Sequence, residues 1–214
     1  MITETNLFQN EIFTYRIRPG KSNKVLLLLH GITGDENSMT IITSKIPEDY
    51  WLFFPRAPFS LDRGGYSWRE PTAIQGWPAI DFFRKSCLAL IEFIETIKTT
   101  NNLMFSTFDV CGFSQGGAMT FSLGALFPEL VGKMAILSGF APMGSEKVIV
   151  PEQFKDKTIF ISHGKIDETV PISMAYDTVT LLENNSAKVI FSESVSGHKM
   201  SAPNLNALHD YFLD

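Results

Sequence analysis

A serine in a tight, glycine-rich turn is the most reactive feature of this sequence. Ser114 lies between Gly112 and Gly116 in the run Gly-Phe-Ser-Gln-Gly, with apolar residues before it and small residues after it. This pattern predicts a strand, a sharp turn and a helix that together expose the serine hydroxyl at a sheet edge. The flanking glycines suit a turn too tight for side chains at those positions. Because a serine is a weak nucleophile without a base, we expect a histidine and an acid elsewhere.

The histidines that follow the serine differ in their predicted positions. His198 lies in a loop between the last predicted strand and the last predicted helix, where a base could point across the strand ends. His163 belongs to the end of a strand, and His209 lies inside the last helix. We therefore predict His198 as the base that takes the proton of Ser114.

The acid is predicted at Asp167, which follows an apolar strand and precedes a helix opened by Pro171. A carboxylate there would accept the Nδ1–H of the histidine and hold the required tautomer. Glu168 is a neighbouring competitor, whereas Asp177 lies in the following helix and is expected to face solvent. The chain order is then serine, acid, histidine.

A second glycine-rich turn, from His30 to Asp35, follows a wholly apolar run. A turn of this kind can donate one backbone N–H to an oxyanion, and the residue after the nucleophile can donate the other. We therefore predict the amides of Ile32 and Gln115 as the oxyanion hole, where backbone groups act and side-chain identity matters little.

Strand-like and helix-like segments alternate along the chain. Strands are predicted at Glu11 to Arg18 (as an edge strand), Lys24 to His30, Trp51 to Phe54, Phe108 to Phe113, Lys133 to Leu137, Thr158 to Ser162 and Lys188 to Ser192. Helices are predicted at Glu36 to Ile46, Pro78 to Thr100, Gly116 to Phe127, Ile172 to Asn184 and Ser201 to Phe212. This alternation predicts a single α/β domain over residues 1–214, with a mostly parallel sheet and helices on both faces. Ligands in such sheets bind at the carboxyl ends of the strands.

The stretch at about 56–77 is predicted to be a long irregular loop, and we interpret it as a partial lid over the site. Aromatic and methionine side chains could form an apolar substrate pocket. The candidates are Trp68, Tyr66, Phe59, Phe140 and Met143.

Composition narrows the possible partners and location. The net charge is −5 with no basic cluster, which argues against nucleic acid as a partner. The first residues lack a signal-peptide pattern, and the apolar runs are too short to span a bilayer. We therefore expect a cytoplasmic protein without integral membrane association, either a monomer or a homodimer.

The sequence resembles the phospholipase/carboxylesterase family of α/β-hydrolases, which includes the acyl-protein thioesterases. The resemblance covers nearly the whole chain and rests on the runs Leu29-His30-Gly31-Ile32-Thr33-Gly34-Asp35, Pro55-Arg56-Ala57-Pro58, Ser67-Trp68, Gly112-Phe113-Ser114-Gln115-Gly116-Gly117, Leu137-Ser138-Gly139, His163-Gly164-Lys165-Ile166-Asp167-Glu168-Thr169-Val170-Pro171 and Gly197-His198. It implies the α/β-hydrolase fold and a serine hydrolase of small-molecule carboxylic esters or thioesters that needs no cofactor or metal. Family members often have an aromatic residue and an aspartate after the tryptophan, whereas this chain has Arg69 and Glu70.

Rival interpretations stay open at this point. A peptidase or a lactone hydrolase could use the same residues, and a hydrolase fold can be reused as a non-catalytic ligand- or partner-binding module. A metal hydrolase built from three histidines and Asp167 is also conceivable, but their spacing matches no metal motif.

Overall fold

Strands and helices alternate along the chain in a computed structural model that describes residues 5–72 and 76–213. The strands are β1 (Asn6–Gln9), β2 (Thr14–Arg18), β3 (Val25–Leu29), β4 (Trp51–Pro55), β5 (Phe59–Ser60), β6 (Tyr66–Ser67), β7 (Phe108–Phe113), β8 (Val131–Leu137), β9 (Thr158–Gly164) and β10 (Lys188–Ser194). The α-helices are α1 (Arg84–Thr100), α2 (Gln115–Leu126), α3 (Ile172–Glu183) and α4 (Ala202–Leu213). Short 3₁₀ helices cover Thr40–Lys45, Ile80–Phe83 and Ser145–Lys147.

Eight of the strands form one sheet in the order β1-β2-β4-β3-β7-β8-β9-β10. The pairs β1–β2 and β2–β4 are antiparallel, and all neighbours from β4 to β10 are parallel. This confirms the predicted single α/β domain with a mostly parallel sheet. The carboxyl ends of β3, β7, β8, β9 and β10 therefore meet at one edge.

The sheet separates two apolar cores, because successive side chains of a strand point to opposite faces. Leu27 and Leu29 of β3 pack into the core that α1, α2 and α3 cover. Leu26 and Leu28 pack into the other core, covered by α4 and the 3₁₀ helix at Thr40–Lys45. A strand buried on both faces explains the uninterrupted apolar run that β3 shows in the sequence.

The N-terminal half contains the main departures from the predicted elements. The exposed strand β1 was not expected, and it makes β2 an inner strand instead of an edge. The predicted helix from Glu36 to Ile46 is reduced to the 3₁₀ turn at Thr40–Lys45. Side chains compete with the helix there: Asp35 Oδ1 accepts the Asn37 N–H, and Ser38 Oγ accepts the Asp35 N–H.

The stretch predicted as an irregular loop contains regular secondary structure between residues 56 and 72. Strands β5 and β6 form an antiparallel hairpin within it. Tyr66 in β6 donates its N–H to Gly34 O at 3.0 Å, and its carbonyl accepts the Thr33 N–H at 2.9 Å. The hairpin is thus hydrogen-bonded to the turn after β3; residues 73–75 of the predicted lid lie outside the described part.

No helix within residues 5–72 and 76–213 combines the length and the apolar character needed to cross a membrane.

Candidate active site

Ser114 occupies a strained turn between β7 and α2. Its backbone angles are φ 55° and ψ −116°, a conformation that is unusual for a residue with a side chain. A Cβ at Gly112 would come within 2.0 Å of the Gly116 carbonyl oxygen, and a Cβ at Gly116 within 2.0 Å of the Leu29 oxygen. Glycine is therefore required at both positions for a steric reason, as the sequence indicated.

Ser114, His198 and Asp167 form a continuous chain of hydrogen bonds. The Ser114 Oγ lies 2.9 Å from Nε2 of His198, and Nδ1 of His198 lies 2.7 Å from Oδ2 of Asp167. With Nδ1–H donating to the carboxylate, Nε2 of a neutral imidazole is free to accept the serine proton. The three side chains come from three separate strand ends, which the parallel sheet brings to one edge.

The Asp167 carboxylate is held on both of its oxygens. Oδ1 accepts the backbone N–H groups of Thr169 and Val170, each at 2.9 Å. Oδ2 accepts from His198 and also lies 3.5 Å from Nε2 of His163. Three hydrogen bonds and this further contact restrict the carboxylate to the orientation that faces His198.

His163 is a buried histidine that sequence reasoning placed outside the site. Its side chain is fully buried, and Nε2–H donates to the Val170 carbonyl at 2.8 Å. Burial lowers the pKa of His163 below its ordinary value, so the ring is neutral. It connects β9 to the turn that carries Asp167.

The competing candidates lie away from the serine. His209 donates its Nδ1–H to the Lys45 carbonyl, 2.8 Å away. The side chains of Glu168 and Asp177 are exposed. None of these three contacts Ser114 or His198 in the hydrogen bonds of the described residues.

The turn after β3 lies directly against the serine. A Cβ on Gly31 would be 3.3 Å from the Cβ of Ser114, so the Ile32 amide follows a residue that lies against the turn at Ser114. Gln115 is the first residue of α2, so its N–H has no partner within the helix. Across the hydrogen bonds found for residues 5–72 and 76–213, neither the Ile32 N–H nor the Gln115 N–H has an acceptor.

His30 shapes this turn. Its ring is buried, Nδ1–H donates to the Gly31 carbonyl at 2.7 Å, and Nε2 accepts the Ala57 N–H at 3.0 Å. Burial lowers the pKa of His30, which keeps the ring neutral and both hydrogen bonds possible.

An ion pair that sequence reasoning missed supports the same region. Arg56 donates Nε–H and an Nη2–H to the two oxygens of Glu36, at 2.6 and 2.9 Å, and an Nη1–H to the Tyr66 hydroxyl at 3.1 Å. Glu36 is almost fully buried, and hydrogen bonding from Arg56 lowers its pKa. The two residues lie twenty apart in sequence, so no local pattern pointed to the pair.

The predicted substrate residues fall into different environments. Trp68 is fully buried and packs in the core. Phe140 is buried, and its ring centroid lies 4.9 Å from that of Trp77. Tyr66 is half-buried beneath the Arg56 guanidinium, and Phe59 is half-buried near Lys85. Met143 is exposed.

Metal ligands are not grouped anywhere in residues 5–72 and 76–213: no cluster of three or more histidine, cysteine, aspartate or glutamate side chains could hold an ion. A cavity of about 800 Å³ lies at the opposite edge of the sheet, at the amino ends of the parallel strands.

Comparison with known proteins shows the fold and the family. The chain is 25% identical over 205 residues to carboxylesterase SOBER1 of Arabidopsis thaliana, covering 87% of this chain and 88% of the relative. It is 28% identical over 208 residues to acyl-protein thioesterase 1 of Candida albicans, covering 86% and 87%. The fold matches the crystal structure of a carboxylesterase from Mesorhizobium loti with a TM-score of 0.80 and 23% identity, covering 98% of each chain. Because the Phospholipase/Carboxylesterase family model matches residues 16–213, the chain belongs to that family of carboxylic ester hydrolases.

Proposed function

We propose that the protein hydrolyses carboxylic esters or thioesters through a triad of Ser114, His198 and Asp167. The observation that carries the proposal is the unbroken hydrogen-bond chain from the Ser114 hydroxyl to the Asp167 carboxylate. The strained turn at Ser114 supports it, because such strain commonly accompanies function.

In the acylation step, Ser114 Oγ attacks the substrate carbonyl carbon while Nε2 of His198 takes the hydroxyl proton. The negative charge that develops on the carbonyl oxygen is stabilised by the N–H groups of Ile32 and Gln115. His198 then gives the proton to the departing alcohol or thiol, and the acyl group stays on the serine.

In the deacylation step, a water molecule attacks the acyl-enzyme while His198 removes its proton. The attack gives a tetrahedral intermediate. When the bond from its carbon to Ser114 Oγ breaks, the carboxylic acid is released and His198 returns the proton to Ser114. Asp167 accepts the Nδ1–H of His198 in both steps and stabilises the imidazolium form of the ring.

The test is the Ser114→Ala variant assayed with p-nitrophenyl acetate and butyrate. We expect kcat/KM to fall by roughly 10⁴–10⁶-fold, because the nucleophile is lost while the fold is retained. Ser122→Ala is the matched control, since Ser122 is a buried serine in α2 whose hydroxyl donates to the Ala118 carbonyl. Activity that survives in Ser114→Ala would contradict the proposal.

A fluorophosphonate probe gives a second readout. It should label the parent and the Ser122→Ala control at Ser114, and leave Ser114→Ala unlabelled. Failure to label the folded parent would favour the alternative of a non-catalytic binding module.

The substrate class is tested with a panel of esters, thioesters, lactones and peptides. We propose thioesters beside esters because relatives include proteins named acyl-protein thioesterase. Rates against acyl chains from acetate to palmitate, with oxygen and sulfur leaving groups, locate the preferred substrate. Cleavage confined to peptides or lactones would select the corresponding rival.

A further inference from the structure

Trp68 is hydrogen-bonded to both chain segments that carry the proposed oxyanion donors, and Ser67 is hydrogen-bonded to one of them, at Gln115. The backbone N–H of Trp68 donates to Gln115 Oε1 at 2.9 Å. The indole Nε1–H of Trp68 donates to the His30 carbonyl at 2.8 Å. One residue is therefore hydrogen-bonded to the start of α2 and to the turn after β3.

The Gln115 side chain completes this connection. Its Nε2 donates to Ser67 Oγ at 3.1 Å, and that hydroxyl donates to the Arg69 carbonyl at 2.7 Å. Because the Trp68 N–H can donate only to the amide oxygen, the Gln115 amide has a single orientation that allows both bonds. Ser67, Trp68 and Gln115 are all buried, so water does not compete for these bonds.

The two proposed oxyanion donors need such a connection because they belong to different parts of the chain. The Ile32 amide lies in the turn after β3, whereas the Gln115 amide begins α2 after β7. Strands β3 and β7 are paired up to Leu29 and Gly112, but both donors lie beyond that ladder. Their separation therefore depends on contacts above the sheet edge.

We propose that Ser67, Trp68 and the Gln115 side chain form an oxyanion brace, a set of positioning groups that holds the Ile32 and Gln115 amides at a fixed separation. This inference rests on the proposed function. None of the brace side chains acts on the substrate; the backbone N–H of Gln115 does, and the side chain of the same residue positions it.

The brace matters because an oxyanion hole works only when its donors already point at the developing charge. A donor displaced by a fraction of an ångström gives less stabilisation to the transition state but changes ground-state binding little. Removing a complete donor costs about 10²–10³-fold in kcat in comparable hydrolases, so displacement should cost about 10–100-fold.

The experiment compares Gln115→Met, Trp68→Phe and Ser67→Ala with the parent. Gln115→Met keeps the backbone N–H and the side-chain length, while Trp68→Phe removes only the indole donor and part of the ring. We expect kcat for p-nitrophenyl butyrate to fall about 10–100-fold in Gln115→Met, with KM within about twofold. Ser122→Ala serves again as the control for loss of a buried hydroxyl.

A transition-state analogue separates positioning from general destabilisation. The inhibition constant of a trifluoromethyl ketone, which forms a tetrahedral oxyanion on the serine, should rise by the same factor by which kcat falls. Loss of thermal stability alone would not produce this proportionality. Ser67→Ala and Gln115→Met should also be non-additive in the double variant, since both remove the same hydrogen bond.

The outcomes distinguish the brace from the catalytic assignment. A parent that hydrolyses ester and a Ser114→Ala variant that does not, together with unchanged kcat in all three brace variants, would overturn the brace alone. A folded parent that neither hydrolyses ester nor reacts with fluorophosphonate would overturn both. If Trp68→Phe does not fold, the smaller Ser67→Ala and Gln115→Met changes still decide the matter.

Discussion

The two edges of the parallel sheet use polar side chains in opposite ways. At the carboxyl edge, Ser114, His198 and Asp167 bond to one another in a directional series, and the serine backbone is strained. At the amino edge, a cavity of about 800 Å³ is lined by polar residues that include Asp109, Lys133 and Lys157. This cavity therefore lies away from the side chains of the proposed triad.

The polar groups of the amino edge hold chain segments together. Asp109 accepts the Tyr50 hydroxyl at 2.8 Å and the Lys133 N–H at 2.7 Å. The ammonium groups of Lys133 and Lys157 donate to the carbonyls of Tyr211 and Val131. These groups satisfy backbone atoms at the ends of elements. The comparison teaches that a cavity lined by polar side chains need not hold them in the directional series that proton transfer from a nucleophile requires.

The largest expected effect lies at the carboxyl edge. Asp167→Asn should lower kcat by about 10⁴-fold, because an amide favours the wrong tautomer of His198. Ester hydrolysis measures this effect, and Glu168→Gln is the control since its carboxylate is exposed beside Asp167. A large loss in Glu168→Gln with little loss in Asp167→Asn would reverse the assignment of the acid.

A substitution at the amino edge should lower the stability of the protein and leave its ester hydrolysis nearly unchanged. Asp109→Leu removes the acceptor of the Tyr50 hydroxyl and of the Lys133 N–H, so the free energy of unfolding should fall by about 2–3 kcal/mol. At temperatures where the variant is folded, kcat/KM should stay within about twofold of the parent. Denaturant unfolding and ester hydrolysis measure the two quantities; a tenfold loss of kcat with unchanged stability would break the comparison.

His163 tests how far the carboxyl-edge network extends into the core. His163→Phe removes the donor to the Val170 carbonyl and the contact with Asp167, so kcat should fall about 10-fold, as expected for loss of about 1–1.5 kcal/mol of hydrogen bonding. KM should stay nearly constant because the ring does not reach the substrate. His209→Gln is the control, and an unchanged kcat in His163→Phe would limit the network to the three triad residues.

The smallest effect concerns the pH dependence of stability. Burial lowers the pKa of His30 and of His163 in the folded protein, whereas in the unfolded chain each histidine has a pKa of about 6.5. Below that pH the unfolded state binds protons that the folded state does not, so the free energy of unfolding falls as pH drops toward the folded pKa values. Between pH 6.5 and 5.5, we expect each histidine to contribute at most about 1 kcal/mol of this loss.

Urea unfolding at several pH values measures how the free energy of unfolding changes with pH, for the parent and for His163→Phe. The variant should show a shallower decrease than the parent, since one of the two buried groups is gone. Equal slopes would indicate that His163 titrates alike in both states.

Several elements could be predicted from sequence because their signals are local. The apolar run of β3 and the helix α2 after the glycine-rich turn were found where expected. Strand β1 was missed because all four of its residues are exposed, which leaves no apolar alternation to detect. The helix predicted from Glu36 was wrong because Asp35 and Ser38 hydrogen-bond nearby backbone groups instead.

The sequence by itself determined the turn at Ser114 and the order of serine, acid and histidine, since steric demands on glycine and chemical demands on side-chain type can be read locally. The tertiary structure alone decided the contacts of Trp68, which the sequence offered only as a candidate for the substrate pocket: it is buried and hydrogen-bonded to both His30 and Gln115. These bonds join residues 38 and 47 positions apart, and only the packing of the sheet edge brings them together.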